Sequence, residues 1–157
     1  MLFRNAEVHD GDAMRAILGD CYRRFAVTDG WPEAVTVACE TTLASAAAIR
    51  AMMATGKVHL AIDDAACVGM VGVEGHEITA LFVHSVFQRG GIGAFLFRWA
   101  LTEIRNQGHD QAVVAVVAGS AIGFYERKGM RMTATARVSH GPCRGMTYSQ
   151  LTYAFRQ

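Results

Sequence analysis

Residues 88–94 read Gln-Arg-Gly-Gly-Ile-Gly-Ala, with glycine at positions 90, 91 and 93. Glycines remove side chains from a turn, so consecutive backbone N–H groups can face a ligand. A helical pattern starts directly after the loop, and a helix start adds unpaired donors and the positive end of its dipole. The chemistry so placed is capture of an anion, against the plainer alternative of a loop that only needs positive φ angles. Other groups able to do chemistry are Tyr125 and the cluster Glu74, His76, Glu77 and His84. Cys21, Cys39, Cys67 and Cys143 are scattered, with no C-x-x-C pair, and no two of the six histidines have an H-x-x-x-H spacing on a helix. A structural metal site is therefore not expected, and the thiols read as buried or idle groups in a reducing cytoplasm.

The elements that must position these residues follow from hydrophobic period and punctuation. Leu2–Ala6 reads as a short strand, and Asp12 caps a helix running to about Phe25, with Met14, Ile17, Leu18 and Cys21 at helical spacing. Trp31-Pro32 opens a segment with no clear period. Leu43–Ala54 reads as a helix stopped by Gly56 at its C′ position. Lys57–Ile62 and Cys67–Glu74 read as a hairpin around Asp63-Asp64, and Ile78–Val83 as a third apolar strand. Ile92, Phe95, Leu96, Trp99, Ala100 and Ile104 form an apolar stripe on a helix that ends at Gly108. Val113–Val117 is a strand covered on both faces, and Ser120 caps a short helix ending at Gly129. Arg131–Val138 and Met146–Phe155 close the chain as an antiparallel pair. The order β-α-α-β-β-β-α-β-α-β-β is mixed α/β.

The chain has 157 residues, 52% hydrophobic and 18% charged, a composition that excludes disorder and suits one domain over residues 1–157. Arg4 and Glu7 come too early for a signal peptide, and the longest apolar run, Ala112–Ala118, is too short to span a bilayer, so neither secretion nor membrane insertion is expected. The net charge of +1 gives no support to a polybasic nucleic-acid binder. That total conceals a division: residues 1–78 carry 6 Lys+Arg against 11 Asp+Glu, and residues 79–157 carry 9 against 3.

Which anion the loop takes is narrowed by its spacing. No Gly-Lys-Ser/Thr follows, as a P-loop requires, and a dinucleotide fingerprint started at Gly91 meets Leu96 where its third glycine belongs. The pattern Q/R-x-x-G-x-G/A after an apolar strand, filled by Gln88, Gly91 and Gly93, resembles the acetyl-CoA-binding motif of the GNAT superfamily of N-acetyltransferases. The flanks agree in order and spacing: Leu81-Phe82-Val83 before the loop, and Phe124-Tyr125-Glu126-Arg127-Lys128-Gly129-Met130 after it. This resemblance is specific over Ile78–Met130 and looser elsewhere; Arg144-Gly145-Met146 and Tyr148 look like the tail of small stand-alone bacterial members. The chain departs from many members at Ser85, where they have Pro, and at Ala118, where they have Asn. The second departure bears on one cofactor hydrogen bond and leaves the phosphate loop untouched.

The resemblance implies a GNAT fold: a central, mostly antiparallel sheet of six to seven strands, splayed between its fourth and fifth strands and flanked by about four helices. It implies that acetyl-CoA, as cosubstrate and without a metal, lies in the splay. Main-chain groups of Leu81, Phe82 and Val83 would pair with the pantetheine, and the N–H groups of Arg89, Gly90, Gly91, Ile92, Gly93 and Ala94 would hold the pyrophosphate. Ser120 and Phe124 complete the implied cofactor-binding set, and the Arg89 side chain would add charge. Tyr125 matches the family's general acid, a phenol that stays protonated at neutral pH yet can donate to a departing thiolate. Glu77, eleven residues before Gln88, resembles the base of the histone-acetylating branch; strand alternation puts it on one face with Thr79, Leu81 and Val83. Glu74, His76, His84 or water are the alternatives.

The expected activity is direct transfer of acetyl to a primary amine of a small molecule or peptide, with no nucleic-acid or membrane partner and with a homodimer left open. Two other classes compete: an acyl-CoA-binding sensor without turnover, and a toxin that acetylates aminoacyl-tRNA. Acceptor choice falls to the variable parts, which contain Cys21-Tyr22-Arg23-Arg24-Phe25, Trp31, Glu40 and His140 to Tyr148. Their carboxylates and aromatics suit a cationic amine, and the acidic half of the chain supplies them.

Overall fold

The computed structural model describes residues 1–156. Its elements are β1 (Leu2–Asn5), α1 (Gly11–Thr28), α2 (Glu33–Thr42), α3 (Ala46–Thr55), β2 (Lys57–Asp63), β3 (Ala66–Glu74), β4 (Glu77–Val83), α4 (Ile92–Asn106), β5 (Gln111–Val116), α5 (Ile122–Arg127), β6 (Arg131–Arg137) and β7 (Thr147–Ala154). The seven strands form one sheet in the order β1-β2-β3-β4-β5-β7-β6. Every neighbouring pair is antiparallel except β4 with β5, which run parallel. That pairing lasts for only two positions, Glu77 with Val113 and Ile78 with Val114. Beyond them the strands part, and the sheet is split by a wedge-shaped gap that opens toward Val83 and Val116. This is the mixed α/β, splayed fold that the element order and the resemblance imply.

Each face of the sheet carries its own core. Met14, Ile17, Leu18, Cys21, Tyr22 and Phe25 recur at three- and four-residue steps on α1 and pack, with Leu60 and Met70, on one face. Ile92, Leu96, Phe97, Ala100 and Ile104 of α4 pack on the other with Val71, Val73, Ile78 and Tyr125. The α4 stripe is offset from the predicted one: Phe95 and Trp99 flank it, stacking on Phe3 and His59, and Phe97 enters the core instead. Close approach of α4 needs Gly69, where an added Cβ would stand 3.1 Å from both Ile92 Cγ2 and Leu96 Cδ1.

Several local expectations are corrected. The segment after Trp31-Pro32 is a fifth helix, α2, whose Thr36 and Cys39 are buried one turn apart; its Val and Thr residues weaken the helical signal that packing then overrides. Asp12 does not cap α1. Asp10 precedes the helix, and its carboxylate is committed to Arg4 at 2.7 and 2.8 Å and to the Glu7 N–H at 2.7 Å. Gly56 is extended rather than left-handed; glycine is needed there because a Cβ would lie 2.3 Å from the Val73 carbonyl oxygen. The β2–β3 turn is centred on Asp64 and Ala65, both with positive φ. The four cysteines are free, with Cys39 and Cys143 Sγ 3.7 Å apart.

A bulge matters most for the site. Gly72 pairs with Ala80 but Val73 pairs with Ile78, so Thr79 is an extra residue in β4. The alternation expected along β4 is therefore broken. Ile78, Leu81 and Val83 join the α4-side core, whereas Ala80 and Phe82 join the α1-side core. Glu77, next to Ile78, falls on the α1 side and does not share a face with Leu81 and Val83.

Candidate active site

The gap between β4 and β5 exposes main-chain groups because beyond Ile78 β4 is paired on one edge only. The His84 N–H donates to the Val68 carbonyl at 2.9 Å, and Phe82 is opposite Met70. In an antiparallel ladder alternate residues face the partner, so the N–H and C=O groups of Leu81 and Val83 point away from β3 and into the gap. Phe82 turns its main chain to β3 and its ring to Tyr22, at 5.9 Å between centroids. The Val83 carbonyl is already occupied by the Gln88 Nε2 at 3.1 Å and by the Cys21 thiol at 3.4 Å. Gln88 thus holds the loop to the strand it follows.

At the end of β4 the chain makes a short 3-10 turn (Ser85–Phe87) and enters the glycine loop. Arg89 and Gly91 take positive φ, 69° and 82°, and Gly91 is the left-handed N-cap of α4. The first helical bond is from the Phe95 N–H to the Gly91 carbonyl. The N–H groups of residues 89–94 consequently have no protein acceptor among the described residues. Six successive donors at the start of a 15-residue helix make an anion cradle, reinforced by the dipole. The side chain of Ile92 is buried in the α4 core, so this residue offers the cradle only its N–H.

Beyond β5 a second 3-10 turn (Gly119–Ala121) leads into α5. Phe124 stands against the loop: a Cβ on Gly93 would be 3.4 Å from its ring and 3.7 Å from Val83 Cγ2. Ala94 continues the first turn of α4 beside it. Tyr125 is buried in the cluster that also receives Leu81 and Val83, with its ring 6.2 Å from Phe97. Its hydroxyl bonds no protein group among the described residues and is not sealed from the surface. Burial raises the phenol well above its ordinary value, so it stays a proton donor throughout the neutral range.

Helix α1 crosses the open end of the gap and ties down both lips. Asp20 accepts the N–H and the hydroxyl of Ser85 at 2.9 and 3.0 Å. Asp29 accepts the N–H and the hydroxyl of Ser120 at 2.7 and 2.6 Å, and the Thr28 hydroxyl at 2.9 Å. Burial pushes the Asp29 carboxyl up, but these hydrogen bonds outweigh it and hold it below the usual carboxylate value. Ser120 is therefore not the side-chain cap of α5 that was expected, and its donors are already committed to α1. Sequence reading missed Asp20 and Asp29 because their partners lie 65 and 91 residues away.

The candidate bases separate into two places. Glu74 and Glu77 face each other across the β3–β4 turn, where His76 lies 5.8 Å from His109, at the closed end of the gap. Glu77 is exposed and makes no ion pair among the described residues. Leu81 is four steps further along the strand, roughly 13 Å away. His84 lies at the open end, its Nδ1 accepting the Val86 N–H and its Nε2 3.6 Å from Asp20. A basic groove of about 600 Å³, lined by Lys128, Arg131, Tyr153 and Arg156 among others, is at the closed end and contains neither Tyr125, nor a residue of the glycine loop, nor any of the candidate bases. Among the described residues no three His, Cys, Asp or Glu side chains gather to hold a metal, and no helix is long and apolar enough to cross a membrane.

The family model described as an acetyltransferase (GNAT) domain matches residues 27–148. No curated protein matches the chain in sequence. Among solved structures, a GCN5-related N-acetyltransferase from Rhodopseudomonas palustris, also described as an aminotransferase, class-II, superposes with a TM-score of 0.89 at 17% identity, covering 98% of this chain and 95% of that one. Ribosomal-protein-alanine N-acetyltransferase from Brucella melitensis gives 0.75 at 19%, over 99% and 100% of the two chains. The PaiA N-acetyltransferase from Thermoplasma acidophilum, solved in complex with coenzyme A, gives 0.78 at 13%, over 97% and 98%. At these identities the likeness is one of fold.

Proposed function

The chain belongs to the GNAT acetyltransferase family, and from that premise we propose that it transfers acetyl from acetyl-CoA directly to a primary amine of a small molecule or peptide, as one domain over residues 1–157. One observation carries this reading: the parted strands β4 and β5 bring six free main-chain donors and a protonated tyrosine to the two sides of one gap.

The residues divide the work as follows. The N–H groups of 89–94 take the pyrophosphate, with Arg89 adding charge and Gln88 keeping the loop on Val83. Leu81 and Val83 offer main-chain groups to the pantetheine, and an N–H there polarises the thioester carbonyl. Phe124 walls the entrance. A free alkylammonium has a pKa near 10.4, so stripping its proton at pH 7 costs about 4 to 5 kcal/mol, and Glu77 accepts that proton through a relay of water. Tyr125 donates to the sulfur on which negative charge grows as the C–S bond breaks. Its buried phenol matches that task because it is neutral when the sulfur needs a proton.

The test is acetyl-CoA-dependent release of free thiol with a panel of amines, run on the wild type and on Tyr125→Phe. Turnover in the wild type, with lost turnover and retained CoA binding in the variant, is the expected result. Full activity in the variant removes the acid assignment. Binding of CoA without turnover across the whole panel would replace the enzyme by an acyl-CoA-binding protein.

A further inference from the structure

Arg24 is the charged group at the open end of the gap that the mechanism leaves without a task. Its Nη1 is buried and has no hydrogen-bond partner. A buried donor of a charged group is strongly disfavoured unless something accepts from it. On α1, Arg24 comes one turn after Asp20, on the same side of the helix, and shortly before Asp29. Asp20 holds the β4 lip through Ser85, and Asp29 holds the β5 lip through Ser120. Arg24 is thereby carried across the opening between the two lips. Its charge is felt on both sides, by the Cys21 thiol that bonds the Val83 carbonyl and by Asp29. It makes no ion pair with either aspartate among the described residues; its guanidinium rests 5.6 Å from the Phe25 ring centroid.

The carboxylates on either side of Arg24 are already engaged, Asp20 by Ser85 and Asp29 by Ser120. Arg23, next in sequence, pairs with both Glu33 and Glu40, so Glu40, the carboxylate expected to receive a cationic amine, is already neutralised. The cofactor's phosphates have their own donors at the start of α4, which packs on the opposite face of the sheet from α1. Resting on the acetyltransferase reading above, we infer that Arg24 takes a carboxylate of the acceptor, so that the acceptors are small amino-acid-like molecules with a primary amine and a carboxylate. A guanidinium presents paired donors to a carboxylate, and its charge also lowers the pKa of a nearby ammonium, raising the fraction of amine able to attack.

Steady-state kinetics with the common α-amino acids, each beside its decarboxylated amine and its carboxamide, test this on the wild type. The expected result is a kcat/KM at least about tenfold higher for an amino acid than for its decarboxylated partner, the size of one charge-assisted hydrogen bond. Arg24→Gln should raise KM for the amino acid by about the same factor and abolish the preference, with Arg24→Lys restoring part of it. A wild type that uses the decarboxylated amines equally well overturns the inference. So does an Arg24→Gln variant that loses acetyl-CoA affinity, or that loses kcat equally for every acceptor, and so does absence of turnover with every amino acid while acetyl-CoA binds. Direct titration with acetyl-CoA separates the premise: no binding removes the acetyltransferase reading itself, whereas binding and turnover without carboxylate preference remove only the role of Arg24.

Discussion

The two lips of the gap are anchored alike and equipped differently. Each strand runs out into a 3-10 turn with a serine whose N–H and hydroxyl are both held by an aspartate, Asp20 of α1 on Ser85 and Asp29, directly after α1, on Ser120. Past the serines the resemblance ends. The β4 lip continues through two left-handed residues into a long helix with its first N–H groups free. The β5 lip turns at once into a six-residue helix that buries Tyr125. One lip offers main-chain donors suited to a fixed anion; the other offers one side-chain proton. Anchoring and chemistry are thus separable, and the two aspartates supply the first without the second.

Substitutions can break this division. The largest effect is expected from Tyr125→Phe, a loss of roughly 10² or more in kcat with CoA affinity unchanged. If CoA affinity falls instead, the β5 lip binds rather than reacts. Gly91→Val should act in the opposite way, because a β-branched residue at φ 82° is strained and the cradle cannot keep its shape. The expected outcome is CoA affinity weakened about tenfold or more by calorimetry, with kcat at saturation much less affected. Asp20→Asn and Asp29→Asn should each have effects of several-fold, the former chiefly in KM for acetyl-CoA and the latter chiefly in kcat. Equal effects of both on both parameters would show that the lips move as one body.

A pH series sharpens the same contrast at smaller scale. Asp29 is held below its ordinary value, so its clamp contributes fully above about pH 4 and is lost as the pH falls through the lowered value. Asp10, brought to about 2 chiefly by its hydrogen bond from Arg4, follows the same sign. Thermal denaturation should show wild-type stability falling between about pH 4 and pH 2, with Asp29→Asn removing one part of that slope and Asp10→Asn another. At the alkaline end the raised phenol of Tyr125 predicts no loss of kcat below about pH 10 from this group. Such a loss, if it disappears in Tyr125→Phe, would mean that the hydroxyl is far less shielded than its burial implies.

The elements around the loop were legible because their signals are local. The α4 stripe at Ile92, Leu96, Ala100 and Ile104, the glycines of 88–94 and the apolar strand before them are each written within a few turns of chain, and the backbone period reads them directly. The segment of α2 was not legible, because Val35, Thr36 and Thr41 favour strand as readily as helix until Thr36 and Cys39 are buried. Nor was the true face of Glu77, because one extra residue at Thr79 reverses the alternation from which it was inferred. The division of charge between the halves also lost its simple meaning, since Asp20 and Asp29 of the acidic half hold the lips formed by the basic half.

By itself, then, the amino-acid sequence determined the glycine loop, the order of the elements apart from α2, and the family motif, all properties of contiguous residues. Only the tertiary structure decided what meets across the gap: Cys21 with Val83, Asp20 with Ser85 and Asp29 with Ser120 are contacts over 62, 65 and 91 residues. It also decided that Arg23 consumes Glu33 and Glu40 while Arg24, one residue on, is left with an unpartnered nitrogen. The physical reason is angular. Adjacent helical residues point about 100° apart, so neighbours of identical charge in the sequence enter different surroundings once the helix is packed.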